Sequence, residues 1–121
     1  MVDFVVDSGA VYSAISEKEA TIMGLNSSSL PYSKGNAVGF GGIFKNRMIN
    51  RKVILTFGAD DNEYTISCGC FKVVCVPPTL QGEEREKMMR YTPNILGMDI
   101  LRQFKTTISK NGLELVPLKE K

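Results

Sequence analysis

The side chains able to run hydrolytic chemistry are unevenly represented in this chain. Histidine is absent, which excludes Ser-His-Asp and Cys-His nucleophile systems and every His-bearing metal site. Acid–base work must fall to carboxylates, lysine, tyrosine or cysteine. Among the carboxylates, Asp7 stands out by its context. It ends the β-branched run Phe4-Val5-Val6, is followed by Ser8-Gly9, and apolar sequence resumes at once with Ala10-Val11. So apolar a strand is expected to be buried, which places a carboxylate near the core with no lysine or arginine beside it. An unpaired buried charge is costly, so such an aspartate needs hydrogen-bond donors or a function. Asp-Ser-Gly alone is a common turn; the flanking apolar run is what singles it out.

The second cluster is sulfur. Cys68, Cys70 and Cys75 are three cysteines packed close together. A disulfide framework has an even and dispersed count, and zinc takes four ligands where no fourth candidate is evident. The favoured reading is small apolar fillers on a strand; a thiol-based sensor is the alternative. No metal and no cofactor are expected.

These residues must be positioned by a single domain of 121 residues, 43% apolar, with 15 basic against 13 acidic side chains and a net charge of +2. That charge is too small and too evenly spread for nucleic acid or a charged membrane to be the main partner. The basic cluster Lys45, Arg47, Arg51 and Lys52 reads as a solvated hairpin face. No run approaches the ~18 apolar residues of a membrane helix, and the acidic, short-cored N-terminus is unlike a signal peptide. An intracellular, cytoplasmic and reducing setting is expected.

Local patterns give a mostly-β chain with one to three short helices. Phe4–Val6 is a strand, and Ser16-x-x-Glu19 is a capping box opening a helix near 17–23, with Gly24 as its stop. Residues 26–36 read as loop, and Ala37 to Asn50 as a hairpin bent at Gly39-Phe40-Gly41-Gly42. Strands follow at 53–57, 64–66 and 71–76, then a connector over 79–92 with a short helix at 83–90. Ile95-Leu96-Gly97 precedes a short helix at 98–104, and Asn111-Gly112 joins a last hairpin.

Three segments, in this order, resemble the retropepsin-like aspartic proteases, the single-domain relatives of pepsin. Val5-Val6-Asp7-Ser8-Gly9-Ala10 is similar to the family's catalytic loop. Val38-Gly39-Phe40-Gly41-Gly42-Ile43-Phe44-Lys45 is similar to its glycine-rich flap, and Pro93-Asn94-Ile95-Leu96-Gly97-Met98-Asp99-Ile100-Leu101 to its hydrophobic-hydrophobic-Gly segment and following helix. Val11 and Met98 stand where many retroviral members carry an acid and a base, which favours the cellular or prokaryotic type. The family's earlier N-terminal strand has no counterpart before Asp7.

The resemblance implies a closed acid-protease barrel over residues 1–121, with a flap hairpin. It also implies a mechanism in which two aspartates share one proton, because two close carboxylates do not both ionise comfortably. Only one Asp-Ser-Gly occurs, so the pair requires a homodimer with one Asp7 from each chain. Asp7 would be catalytic, with Ser8 holding the two loops together across the dimer and Gly9 allowing their close approach. Gly97 would let the 95–96 strand pass closely beneath the Asp7 loop. Ala10, Gly39, Phe40, Gly41, Gly42, Ile43, Ile95 and Leu96 would bind an extended peptide or unfolded-protein substrate. A non-catalytic binding or dimerisation module of the same fold is the alternative.

Overall fold

The computed structural model of the chain describes residues 2–39, 42–58, 63–69, 71–77 and 79–118; for 34–39 and 42–44 it describes the backbone alone. The short β1 (Phe4–Val6) leads through the Asp7 loop to β2 (Ala14–Ser16) and α1 (Glu17–Ile22). Helix α1 starts where the capping box places it: the Ser16 hydroxyl accepts from the Glu19 amide at 3.1 Å. It stops at Gly24, whose φ of 81° suits only a residue without Cβ. Ala20 turns its face into the core.

β3 (Tyr32–Gly39) and β4 (Gly42–Ile49) pair antiparallel from Gly39 opposite Gly42. Gly39 and Gly42, both expected at the bend, thus face each other across the pair, while Phe40 and Gly41 lie outside the described residues. β3 begins earlier than the composition of 26–36 suggests, because tertiary contacts hold its start. Arg47 donates to the carbonyls of Leu30 at 2.6 Å and Ser28 at 3.3 Å, and to the Tyr32 hydroxyl at 2.8 Å. Its guanidinium also lies 4.0 Å from the centroid of the Tyr32 ring. Arg47 is therefore committed to the fold, not to a solvated basic face.

β5 (Val53–Phe57) and β6 (Tyr64–Cys68) form a two-stranded antiparallel sheet, and β7 (Phe71–Cys75) follows. After α2 (Gly82–Tyr91), β8 (Asn94–Leu96) enters the main sheet and α3 (Met98–Leu101) leaves it. β9 (Phe104–Ser109) and β10 (Gly112–Pro117) make the last hairpin, turning through Gly112 at φ 124°. No helix among the described residues is long and apolar enough to cross a membrane.

The main sheet has the order β1-β8-β2-β7-β4-β3. This corrects the expected closed barrel: among the described residues, β1 and β3 remain free edges, and β5–β6 and β9–β10 are separate sheets. Closure needs end strands that meet with the proper stagger, and β1, β2 and β8 are only three residues each. The sheets still share one core. Ile66 and Cys68 from β6 join Ile15, Phe71, Val73, Leu96 and Ile100. Phe104 anchors the last hairpin by edge-on contacts with Phe57 and Tyr64, at centroid distances of 5.2 and 5.5 Å. On the opposite side Met88 of α2 packs over Ala14 and Val74.

Cys68 and Cys75 lie buried in this core as free thiols, while Cys70 lies outside the described residues. Burial pushes both thiols up, helped by the Asp99 carboxylate near Cys68 and the Glu17 carboxylate near Cys75; Arg47 partly opposes the shift at Cys75. Thiolates are the reactive form, so both residues should label slowly with a maleimide in the folded protein and rapidly in denaturant. Site-resolved mass spectrometry reads this directly. Because the folded-state values are raised, the associated stability is complete below the ordinary thiol range of about 8.5. It is lost as pH climbs through the raised values.

Candidate functional site

The Asp7 loop is built by strand pairing on one side and by a crossing on the other. β1 runs parallel to β8, with Val5 opposite Ile95 and Val6 opposite Leu96. The ladder continues one step further, the Asp7 amide donating to the Leu96 carbonyl at 3.0 Å. β2 lies on the other flank of β8, with Ala14 opposite Ile95. Residues 7–13 therefore pass over the end of β8 to get from one flank to the other, and Gly97 is the crossing point.

A Cβ built on Gly97 would lie 2.7 Å from the Tyr12 carbonyl oxygen and 2.8 Å from that of Ala10. Backbone occupies that space, so nothing larger than glycine fits. Two amides just beyond the crossing clamp the loop: Met98 donates to the Ala10 carbonyl at 2.8 Å and Asp99 to the Val11 carbonyl at 3.1 Å. The close passage expected at Gly97 is present in the geometry.

Within the loop, the Asp7 Oδ1 accepts from the Gly9 amide at 2.9 Å, and the Ala10 amide donates to the Asp7 carbonyl at 3.1 Å. A Cβ at Gly9 would sit 3.2 Å from that same Oδ1, so Gly9 leaves room for the carboxylate as well as for any approaching loop. Asp7, Ser8 and Gly9 are exposed and Ala10 is half-buried. This corrects the expectation of a buried strand and a buried carboxylate. Among the described residues β1 is an edge strand partnered on one side only, and Val5 is 53% exposed.

Sequence reasoning did not single out the residues that lock this loop from below. Ser13 is fully buried; its hydroxyl accepts from the Gly97 amide at 2.8 Å and donates to Asp99 Oδ1 at 2.7 Å. Asp99 Oδ1 also accepts from the Ile100 amide at 2.9 Å, fixing the first turn of α3. Asn94 staples the strands: its Oδ1 accepts from the Ser16 amide and its Nδ2 donates to the Asp3 carbonyl, at 2.8 and 3.0 Å. Asparagine is a poor strand former, and that mismatch is the one local signal of its role. Ser13→Ala should cost about 1–3 kcal/mol by leaving the Gly97 amide without its partner. Urea denaturation measures it, with the exposed Ser8→Ala as a control expected within about 0.5 kcal/mol of the parent.

The expected substrate-contacting residues divide into two groups. Ile95 and Leu96 flank the Asp7 loop, but adjacent strand residues face opposite ways. Leu96 is 2% exposed inside the core, so its side chain supports the loop and only Ile95, half-buried, is on the accessible face. Gly39, Gly42 and the backbone of Ile43 belong to the β3–β4 hairpin at the opposite edge of the main sheet from β1. Among the described residues no group of histidine, cysteine or carboxylate side chains is arranged to hold a metal ion.

No family model matches the chain, and no curated protein matches it. Among solved structures it is similar to a retropepsin-like aspartic protease from Rickettsia conorii, with a TM-score of 0.57 and 19% identity. The similarity covers 95% of this chain and 79% of that one. The chain therefore has the fold of a retropepsin-like aspartic protease.

Proposed function

We propose that the chain is an aspartic endopeptidase, acting as a homodimer on extended peptides or unfolded protein. The observation that carries this reading is the Asp7 loop itself. A carboxylate stands at the surface on a loop locked over Gly97, and its second oxygen is free of hydrogen bonds among the described residues. That is a poor use of so constrained a segment unless something meets it. Around it, Val5, Val6, Val11, Tyr12 and Met98 are exposed, an apolar collar of the kind that contacts between chains bury.

A second copy related by a twofold axis would bring Asp7 against its own equivalent. The unprotonated carboxylate of the pair takes a proton from water as that water attacks the scissile carbonyl. The protonated one donates to the carbonyl oxygen, and collapse of the tetrahedral intermediate returns a proton to the leaving amine. The substrate lies as an added strand, bound mainly through its main chain, with the Gly39–Gly42 hairpin closing over it. Neither metal nor cofactor takes part.

Incubation with an unfolded protein mixture across about pH 3–7 tests this. Pepstatin-sensitive cleavage is expected. An intact dimer with no cleavage at any pH would identify a binding module instead.

A further inference from the structure

Strand register puts one row of residues across the outer face of the main sheet. Val5 lies opposite Ile95, Ile95 opposite Ala14, Ala14 opposite Lys72, and Lys72 opposite Met48. Paired residues point to the same face, and the chain neighbours Leu96, Ile15 and Val73 are all in the core. The row therefore faces away from the core, and Lys72 is its one charged residue. Lys72 is half-buried, and its Nζ lies 4.3 Å from the centroid of the Tyr12 ring. Tyr12 belongs to the loop that starts at Asp7, and it is 47% exposed. The ammonium is thus held toward the Asp7 loop, while Met88 of α2 bounds the same face by packing over Ala14 and Val74. Lys72 makes no ion pair among the described residues.

We propose that Lys72 is a specificity-determining residue, taking the carboxylate of an aspartate or glutamate two to four residues from the cut bond. The inference rests on the endopeptidase reading above for where the substrate lies. Three strand spacings of about 4.8 Å separate β1, which leads into Asp7, from β7, which carries Lys72. That span of about 14 Å is covered by about four residues of extended peptide, and the lean of the side chain toward Tyr12 shortens it. An aromatic face holds a cation through its quadrupole and leaves the N–H donors of the ammonium free for a carboxylate. In a twofold dimer each protomer supplies one Lys72, so an acidic residue is selected on either side of the bond.

The probes are fluorescent peptides of alanine, leucine and serine that differ only in one residue, glutamate, glutamine or lysine, three positions from the central bond. Binding to Asp7→Asn protein is read by anisotropy, so that no turnover intervenes. The glutamate peptide should bind about five-fold more tightly than the glutamine peptide, the scale of one exposed ion pair. With Lys72→Glu added, the lysine peptide should bind best; with Lys72→Met, the three should bind alike. Protein with Asp7 intact should cut an unfolded protein mixture with a similar enrichment of acidic residues two to four positions from the bond, read by mass spectrometry. No binding at about 1 mM, equal binding of the glutamate and glutamine peptides, or a preference that survives Lys72→Met would overturn the inference. So would a dimer that dissociates in Lys72→Glu protein, which would make Lys72 a contact between chains. Binding that depends on Lys72 without cleavage at any pH would support the inference and contradict the endopeptidase reading alone. Cleavage with no dependence on Lys72 would do the reverse.

Discussion

Asp7→Asn should reduce peptide cleavage by about 10⁴-fold while the protein stays folded. The two halves of that expectation have separate physical grounds. Asparagine keeps an Oδ1 that can accept from the Gly9 amide, now at 2.9 Å, and Asp7 is exposed, so no buried charge is removed. The loop is held by backbone contacts at Leu96, Met98 and Asp99 that the substitution does not touch. On the proposed mechanism, what disappears is the proton acceptor, and in a symmetric dimer the proton donor with it, because the same residue would fill both roles. Activity should therefore vanish while circular dichroism and the urea midpoint stay at parental values. Retained cleavage by carefully purified variant would place the chemistry on another residue.

Gly97→Ala is the substitution with the largest expected structural effect. A methyl group would be forced to 2.7–2.8 Å from the carbonyl oxygens of Tyr12 and Ala10. Neither can swing aside as a side-chain tip would, because both belong to the loop clamped by Met98 and Asp99. Overpacking of this kind costs about 1–3 kcal/mol where side chains give way, and more where backbone must move. A fall of about 10 °C or more in thermal midpoint is expected. Gly24→Ala offers a contrast, since open space surrounds that position and only its φ of 81° opposes a side chain. It should cost about 1 kcal/mol. A Gly97→Ala protein as stable as its parent would mean that the loop does not cross β8 as described.

Much of this arrangement was legible in the residues because it rests on local chemistry. The capping serine of α1, the glycines at the β3–β4 bend and the Asn111-Gly112 turn each act within four residues of themselves. The Asp7 and Ile95-Leu96-Gly97 segments were legible as motifs, though their pairing was not derivable from periodicity. The parts that escaped are those set by distant partners. β2 is three residues with no alternation of its own, held in place by β7 and β8. The Ser13–Asp99 hydrogen bond joins residues 86 apart in sequence, and nothing near either one announces it. Burial was misjudged at Asp7 for a related reason. Apolar sequence indicates a surface that needs covering, but among the described residues β1 lies at a sheet edge with Val5 and Val6 exposed.

Whether two Asp7 carboxylates act as a pair can be measured by subunit mixing. Wild-type protein is held at a fixed concentration, within the range where sedimentation shows a dimer, and Asp7→Asn protein is added in nine-fold excess. After exchange, random pairing leaves about one-tenth of the wild-type chains with a wild-type partner. If each cleavage requires both carboxylates, the rate should fall to about one-tenth of its starting value. A rate that does not fall would show that one Asp7 suffices, and would contradict the paired mechanism.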